Sequence, residues 1–481
     1  MVKHISKIGL FASAALVFNV PAAADTLNEA LGKAYRTNPT LTAAQAGQRA
    51  TDEGLPIAKA RGRPSVNLQS NYTEAVQRSA NSFSSPARIA NGQLSVEVPI
   101  YQGGQVKYAI RAADARIDSG QASLRGTESS LFSNVVAAYL DVIRDGGIAG
   151  LNAKQVEVLS KNLEATRDRF EVGDLTRTDI AQSESRLATA RSQLQTAQSQ
   201  LIASYERYVQ LVGDVPTALE EPPSLSNMPK TPDEAVQRSL ANNPDIAAAN
   251  KAADAARFEA KAARGAELPR LSATANQTYT NFLNSLKSGR PGVSFSQTDK
   301  TRNIGLSLTI PIYAGGGVSA QTRQAQARAS QSIEQVIGAE RNVIAQTRTA
   351  YASWRASNEV IVSSETAVKA AALSLEGVKA ENSVGNRTIL DILNAEQELL
   401  NAQVQLVGAR RNAYVAGFTL LAAMGQAEAR DLGLDGGALY DPEVNYNRVK
   451  NRFLDFQEDK VGPPVATRTV DTPAQTPPIR P

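Results

Sequence analysis

The sequence predicts an α+β fold in which two long helical hairpins each carry a pair of β-strands. Three observations lead to this prediction. The chain contains one plan twice, each copy has two stretches of alternating apolar residues, and the remainder is rich in helix-forming residues with a seven-residue apolar period. Each copy is therefore predicted to fold as one strand pair and one antiparallel pair of helices.

The internal repeat is the strongest of these signals. Asn38-Pro39 recurs 205 residues later as Asn243-Pro244, and beyond a variable stretch the spacing becomes 212 and stays constant. A constant spacing over more than a hundred residues indicates a duplication whose unit is too long for a solenoid. The pairs at this spacing are Val98–Tyr101 with Ile310–Tyr313, Tyr139 with Tyr351, Val172-Gly173 with Val384-Gly385, Asp179 with Asp391, and Gly213 with Gly425.

The duplication divides the chain into five segments. Residues 25–213 and 231–425 form the two repeats, and residues 214–230 form a connector rich in Pro and Ser. Residues 426–481 form an equatorial segment whose Pro-rich end, without apolar periodicity, is predicted to be disordered.

The remaining segment, residues 1–24, predicts export. Two lysines precede an apolar run from Ile8 to Val20, and Ala22 and Ala24 supply the small side chains of a signal-peptidase site. An uncleaved membrane anchor is the alternative, although the apolar run is short for a membrane span. The absence of Cys near Ala24 excludes the usual lipoprotein acylation.

The composition excludes most kinds of catalytic and metal site. The 481-residue chain has no Cys and a single His, His4, which lies in the predicted signal peptide. Catalytic triads, histidine acid–base chemistry, zinc fingers, iron–sulfur clusters and disulfides are therefore excluded from the mature chain. Catalysis by carboxylates alone or by lysine, and a Ca²⁺ or Mg²⁺ site with oxygen ligands, are not excluded by this composition, although an enzyme is the less favoured class. The net charge of +4, without a dense basic cluster, also disfavours nucleic-acid binding.

Alternation with a period of two predicts two strands in each repeat. Residues 93–101 and 303–313 alternate most clearly, and weaker partners precede them at about 64–77 and 269–282. Four strands cannot close a barrel, and a sheet in a membrane cannot leave an open edge. If the apolar faces contact lipid, several chains must share one barrel. A soluble hairpin packed on helices is the alternative.

Long helices are predicted for the rest of each repeat. A heptad seam with small residues three positions on lets neighbouring helices approach closely. A segment from about 105 to 170 would extend roughly 100 Å, which implies a rod or a tube. Gly173 and Gly385 each interrupt the helical pattern once and predict the hairpin turn. The seam residues are Ile180, Leu187, Leu194 and Leu201 in one repeat and Ile392, Leu399, Leu406 and Ala413 in the other.

The order and double occurrence of these motifs resemble the TolC family of outer-membrane efflux and secretion channel proteins. The match runs from about Asp25 to Gly425. The resemblance implies a homotrimer in the cell outer membrane. Four strands per chain would build one shared β-barrel, and the hairpins would continue it through the periplasm as an α-helical barrel.

The resemblance also implies partners and a role. The protein would be the passive exit duct of a tripartite export system, together with a periplasmic adaptor (membrane fusion) protein and an inner-membrane pump. Proton-driven drug efflux and ATP-driven type I protein secretion both remain open. No cofactor is implied.

Site residues follow from the same resemblance. In the family, the periplasmic end is closed by links among an Arg and a Tyr of the second repeat and a Thr-Asp pair of the first. Arg387, Thr178 and Asp179 match three of these positions, whereas Asn382 replaces the Tyr. Val172-Gly173 and Val384-Gly385 resemble the tips where adaptor hairpins dock, although a plain helix stop is compatible with the same residues.

Two aspartates typically ring the aperture in the family. Asp391 matches the first and Asn394 replaces the second, so one acidic ring of about three charges remains in a trimer. We expect weaker cation selectivity than in members with two rings. The alternative for Asp179 and Asp391 is that each is a solvated acid at the start of a helix.

Two other functional classes remain as alternatives. A non-conducting periplasmic coiled-coil scaffold would leave the apolar alternation of the strands unexplained. A carboxylate-based periplasmic enzyme is the weaker alternative, because outside the hairpin tips we see no paired acids of the kind that a catalytic pocket would need.

Overall fold

The computed structural model describes residues 26–77, 85–288, 292–434 and 439–476. The predicted signal peptide, residues 1–24, lies outside the described residues.

The two halves of the chain contain the same order of elements. Short helices lead into a strand pair, which is followed by a 67-residue helix and a second long helix. The first half contains α1 Leu27–Thr37, α2 Pro39–Asp52, α3 Gly54–Ala60, β1 Ser65–Glu74, β2 Arg88–Gln102, α4 Gln105–Glu171 and α5 Arg177–Val212. The second contains α6 Pro232–Asn242, α7 Pro244–Arg264, β3 Arg270–Asn281, β4 Thr298–Thr309, α8 Gly317–Ser383 and α9 Ile389–Ala423, and is followed by α10 Pro442–Val449.

Each Asn-Pro pair fastens the start of a half to its end. The Asn38 side-chain oxygen caps α2, and its amide nitrogen donates to the Leu211 carbonyl (2.9 Å) near the end of α5. Asn243 caps α7 and donates to the Ala423 carbonyl (3.0 Å) at the end of α9. Proline suits the first helical position because its missing N–H would have no partner there. The motif therefore combines a helix start with a long-range contact.

A pair of equivalent tyrosines holds the connector between the halves. Tyr139 donates from its hydroxyl to the Glu220 carbonyl (2.7 Å), and Tyr351 donates to the Lys230 carbonyl (2.8 Å). Between these two contacts the connector has no helix or strand of its own, so its course depends on the contacts with Tyr139 of α4 and Tyr351 of α8.

The four strands form one antiparallel sheet in the order β1-β2-β3-β4. The register places the alternating apolar residues on one face, because directly opposed residues point to the same side. Ile304 and Leu306 on that face are 90% and 72% exposed, so the described residues leave its β4 side uncovered. The apolar face comprises Val66, Leu68, Leu94, Val96, Val98, Ala273, Ala275, Ile304, Leu306 and Leu308, and the other face carries Asn67, Ser95, Glu97, Thr274, Asn276 and Ser307.

The observed strand ends differ from the predicted ones. β2 begins at Arg88 and not at 93, because residues 88–92 pair with β1 although their apolar residues do not alternate with a period of two. β4 runs from Thr298 to Thr309, so it also begins five residues early and ends before 313. The register of β2 shifts between Pro99 and Tyr101, as expected where Pro removes a ladder donor.

The end of the second strand differs between the repeats, because β2 has a strand on both sides and β4 pairs only with β3 among the described residues. The end of β2, through Gln102, pairs with the start of β3. The equivalent residues Ile310–Tyr313 follow β4 at the edge of the sheet, and Ile312 and Tyr313 are 93% and 87% exposed. This difference explains why β4 ends early.

Three of the four residues predicted for the α5 seam are buried, whereas the seam predicted for α9 is displaced at its first two positions. Leu187, Leu194 and Leu201 are all at most 5% exposed. In the half of α9 nearer the tip the buried leucines are Leu393 and Leu400, one position after the predicted Ile392 and Leu399, whereas Ala413 is buried as predicted. The reason is that α9 packs on α4 and α5 as well as on its hairpin partner α8, as the cluster of Leu393 with residues of α4 and α5 shows.

The C-terminal segment contacts the body of the protein, and the disorder predicted for its Pro-rich end stays a prediction. α10 packs on α2, with the Asn445 amide nitrogen donating to the buried Asp52 carboxylate (2.7 Å). Farther along, the backbone nitrogen of Gln475 lies 3.4 Å from a carboxylate oxygen of Glu206 on α5. The segment is therefore held in place by polar contacts with side chains of the body and not by an apolar face of its own.

None of the helices among the described residues is both long enough and apolar enough to cross a membrane.

Glu128 on α4 lies beneath the equatorial segment. Its carboxylate accepts a hydrogen bond from the Ala429 backbone nitrogen, and Arg125 pairs with the adjacent Glu428 (2.7 Å). Burial raises the pKa of Glu128 to about 6, and the Glu428 carboxylate adds to this effect, while Arg125 and Arg430 oppose it.

The Glu128 site predicts a pH-dependent stability. Because the folded chain binds this proton more tightly than the unfolded chain, stability rises as pH falls from about 6 to about 4.5, by at most about 2 kcal/mol. Glu128→Gln keeps the acceptor for Ala429, so we expect a higher melting temperature at pH 7.5 and a flatter pH dependence. Glu398→Gln, at an exposed residue of α9, is the control. A Glu128→Gln protein with the wild-type slope would contradict this assignment.

Candidate functional site at the hairpin tips

The two hairpin tips lie far from the sheet. Each is separated from its strand pair by a 67-residue helix, about 100 Å at about 1.5 Å per residue. The sites predicted from the sequence all lie at or near these tips, in the α4–α5 and α8–α9 turns.

A glycine in the left-handed conformation ends the first helix of each hairpin. Gly173 has φ 84° and Gly385 has φ 83°. The nitrogen of the residue after each glycine donates back over one helical turn, from Asp174 to Arg169 and from Asn386 to Glu381, both at 2.9 Å. A Cβ added to either glycine would contact nothing within 4 Å. The backbone conformation therefore requires glycine here, and close packing does not.

The valine beside each glycine is exposed. Val172 is 81% exposed and Val384 is 71% exposed. Each tip therefore presents an apolar side chain next to an uncovered backbone turn.

A capping box begins the second helix of each hairpin. The Thr176 hydroxyl donates to the Asp179 carboxylate (2.7 Å), and the Thr388 hydroxyl donates to that of Asp391 (2.8 Å). The backbone nitrogens of both threonines donate to the same carboxylates (2.8 and 2.9 Å). Hydrogen bonds to Thr176 lower the pKa of Asp179, and hydrogen bonds to Thr388 lower that of Asp391. Both acids are therefore ionised at neutral pH.

Arg387 pairs with a residue of its own hairpin. Its Nε donates to the Glu381 carboxylate (2.7 Å), which raises the pKa of Arg387. The Asn382 side chain donates to the Arg387 backbone carbonyl (2.7 Å) and so closes the turn. Sequence reasoning missed Glu381, although an acid six residues before an arginine across a glycine turn is a readable signal.

Within the described part of the chain, Arg387 does not contact Thr178 or Asp179. Thr178 is exposed, and Asp179 is engaged in its capping box. The link predicted between the two repeats stays a prediction.

Asn394 joins the two hairpins. Its side-chain oxygen accepts a hydrogen bond from Nη2 of Arg186 on α5 (2.7 Å). At the position where the second aperture aspartate was expected from the resemblance, the side chain is therefore neutral and contacts the Arg186 guanidinium.

A buried acid two residues farther along α9 was also missed. Glu396 is 3% exposed, and its carboxylate lies 3.2 Å from Lys379 Nζ on α8 and accepts from the Asn162 amide on α4 (2.9 Å). It therefore connects three helices just above the tips. The sequence signal for this buried acid is its position between Leu393 and Leu400 on an otherwise apolar face of α9.

Comparison with protein families decides the identity of this architecture. The model of the outer membrane efflux protein family matches residues 30–214 and 235–426, which correspond to the two halves. The chain belongs to this family.

Relatives and a solved structure agree with the family. The outer membrane efflux protein BepC of Brucella suis is 31% identical over 94% of this chain and 96% of its own length. The outer membrane protein TolC of Escherichia coli is 27% identical over 87% and 86%. The crystal structure of the CmeC outer membrane channel of Campylobacter jejuni has the same fold, with a TM-score of 0.74 and 17% identity over 88% of this chain and 89% of that one.

These comparisons confirm several predictions from the sequence. The protein is an outer-membrane efflux protein that extends into the periplasm, its fold is that of the TolC-like channels, and it serves as an export duct and not as an enzyme.

The Arg186–Asn394 contact yields a prediction about charge at the tips. Asn394→Asp alone is expected to raise cation selectivity only slightly, because Arg186 would neutralise the new carboxylate at the distance of an ion pair. Combined with Arg186→Gln, the same change is expected to raise it clearly. The measurement is the reversal potential in a salt gradient across a planar bilayer. Equal selectivity of the single and double variants would contradict the role given to Arg186.

Proposed function

We propose that the efflux protein is a homotrimeric exit duct, gated at its periplasmic hairpin tips, in a tripartite system with a periplasmic adaptor and an inner-membrane pump. The observation that carries this proposal is the placement of two equivalent, exposed tips with ionised acids about 100 Å from an apolar-faced sheet. The cargo class that we propose is drugs and other toxic compounds, and type I protein secretion is the second. The pump is proton-driven in the first case and ATP-driven in the second.

Two surfaces support assembly with further copies of the chain. Among the described residues the outer edges of β1 and β4 have no strand partner, and such edges cannot face lipid unpaired. On α8, Val362 and Leu373 are 66% and 71% exposed, so this helix has an apolar surface without a neighbour in the single chain. A trimer with four strands from each chain would cover both.

The tips support adaptor docking. Val172-Gly173 and Val384-Gly385 present exposed apolar side chains beside backbone turns where nothing crowds the glycines. An adaptor hairpin with small apolar residues at its own tip would find two matching contacts on each chain.

The gate would depend on a competition for Arg387. In the chain alone Arg387 pairs with Glu381. In the closed trimer we propose that it turns to Thr178 and Asp179 of a neighbouring hairpin, with Asn382 holding its backbone in place. Removal of the link would open the tips, whereas removal of Glu381 would favour the link.

Single-channel recordings in planar bilayers test the gate. We expect larger currents for Arg387→Ser combined with Asp179→Ala, and smaller currents for Glu381→Gln, because these changes move Arg387 in opposite directions. Equal currents for both variants, with the trimer intact, would contradict the gate.

Asp391 and Asp179 form a matched pair for selectivity. Their capping boxes are alike, so Asp391→Asn and Asp179→Asn should have the same cost in helix stability. We expect only Asp391→Asn to abolish the cation preference, because only Asp391 is proposed to line the aperture. The reversal potential in a salt gradient measures it, and an equal loss in both variants would contradict this placement.

The pH dependence of selectivity follows from the lowered pKa of Asp391. Since hydrogen bonds from Thr388 hold this pKa below the ordinary value of 3.8, the ring stays charged between neutral pH and the ordinary carboxylate range. The cation preference is expected to be constant over that window and to disappear only in stronger acid. Thr388→Val, which removes one of these donors, is expected to shift the loss to higher pH. A preference that declines near pH 6 would assign selectivity to another group.

A non-conducting scaffold is the remaining alternative. A folded, trimeric protein that stays silent in bilayers in the wild-type form and in all of these variants would favour it.

A further inference from the structure

A closed loop follows α10. The Asp459 carboxylate accepts hydrogen bonds from Arg448 Nη1 (2.6 Å) and Arg452 Nη2 (3.1 Å). The two ends of residues 448–459, here called the C-terminal loop, are thereby held together, and the residues between them project outward.

The C-terminal loop is fastened to the base of the sheet. Lys59 Nζ donates to the Lys450 carbonyl and Arg63 Nη1 to the Arg452 carbonyl, both at 2.7 Å. The Arg63 guanidinium also lies 5.9 Å from the centroid of the Phe453 ring. Because Arg63 lies two residues before the start of β1, the loop stands where the helices end and the sheet begins.

Three large apolar side chains at the turn of this loop are exposed. Phe453 is 69% exposed, Leu454 is 58% exposed and Phe456 is 102% exposed. Val66 and Leu68, the first apolar residues of β1, are likewise 64% and 76% exposed. Exposed apolar side chains are therefore present both on the loop and at the start of β1, and Arg63 fastens the loop just before that strand.

The surroundings of this turn are basic. Residues 59–63 and 448–460 contain seven Lys and Arg against three Asp and Glu. Basic residues around exposed aromatic side chains match the phosphate and glycerol region of a bilayer. A neighbouring copy would bring Ile310–Tyr313 to this edge of the sheet, a segment without any acidic side chain.

We propose that the C-terminal loop is a membrane-interface anchor, which inserts Phe453, Leu454 and Phe456 among the phospholipids of the periplasmic leaflet. Lys59, Arg63 and the basic residues of the loop contact the phosphate groups around it. The proposal rests on the outer-membrane location of the protein and not on the gate. It assigns a membrane contact to a segment outside the strands.

Site-specific quenching tests the anchor. The chain has no cysteine, so Phe456→Cys provides a single labelling site. Val465→Cys is the matched control, because Val465 is also exposed (71%) but lies on the return course of the chain toward α5. Each full-length protein would carry an environment-sensitive fluorophore and be reconstituted in vesicles of phosphatidylethanolamine and phosphatidylglycerol, with a quencher near the headgroups.

We expect the lipid-borne quencher to act several-fold more strongly on the label at 456 than on the label at 465, and aqueous iodide to show the reverse order. Leu454→Cys should behave like Phe456→Cys, which guards against a local disturbance at one site. A label at 456 and 454 quenched by iodide alone would overturn the anchor. Protection from both quenchers would also overturn it, because a neighbouring copy would then cover the loop.

Conductance recorded on the same labelled proteins separates this proposal from the channel. Lipid quenching without any current would contradict the proposed duct and leave the anchor standing. Current without lipid quenching would do the opposite.

Discussion

The hydrogen bonds of Asn38 and Asn243 set the geometry on which the rest of the chain depends. Each amide joins the N-terminus of a helix that leads into the strands to the C-terminal carbonyls of the helix that returns from the tip. The loop from sheet to tip and back is closed at this level. We call these two asparagine contacts the latches. The distance from each latch to its hairpin tip is therefore fixed by the length of α5 or α9, and these lengths differ by one residue.

At the tips, one carboxylate performs two tasks. The Asp391 carboxylate accepts hydrogen bonds from the backbone nitrogen and the hydroxyl of Thr388 at the start of α9. In the proposed trimer it also supplies the charge of the aperture. Because the cap holds the carboxylate in a single position, the charge needs no further residue to orient it. The same reasoning explains why a threonine precedes the acid by three residues in both repeats.

The sequence predicted the features that are local. The alternating faces of the strands, the glycine turns and the buried seam of α5 depend on residues close together in the chain, so patterns of two, seven and 212 residues revealed them. Arg186–Asn394 and Glu396–Asn162 join residues more than two hundred positions apart. They arise because α9 of the second hairpin packs on α4 and α5 of the first. The period of the apolar residues does not predict which polar side chains meet at that contact.

The course of the C-terminal segment was missed for a related reason. Its position depends on single polar contacts, such as Asn445 with Asp52 and Arg63 with the Arg452 carbonyl, whose partners lie almost four hundred residues away. Prolines and the lack of apolar periodicity are typical of disorder, and they are equally compatible with a strap held by side chains of the body.

The open edges of the sheet have a consequence for biogenesis. In the proposed trimer the outer edges of β1 and β4 find their partners on neighbouring chains, so the last folding step would be an encounter between chains. Its rate depends on the local concentration of protomers, whereas the latches and hairpins form within one chain. An exported copy that arrives alone would therefore hold finished helices beneath an unfinished sheet, and the time it spends in that state is set by how quickly its neighbours arrive.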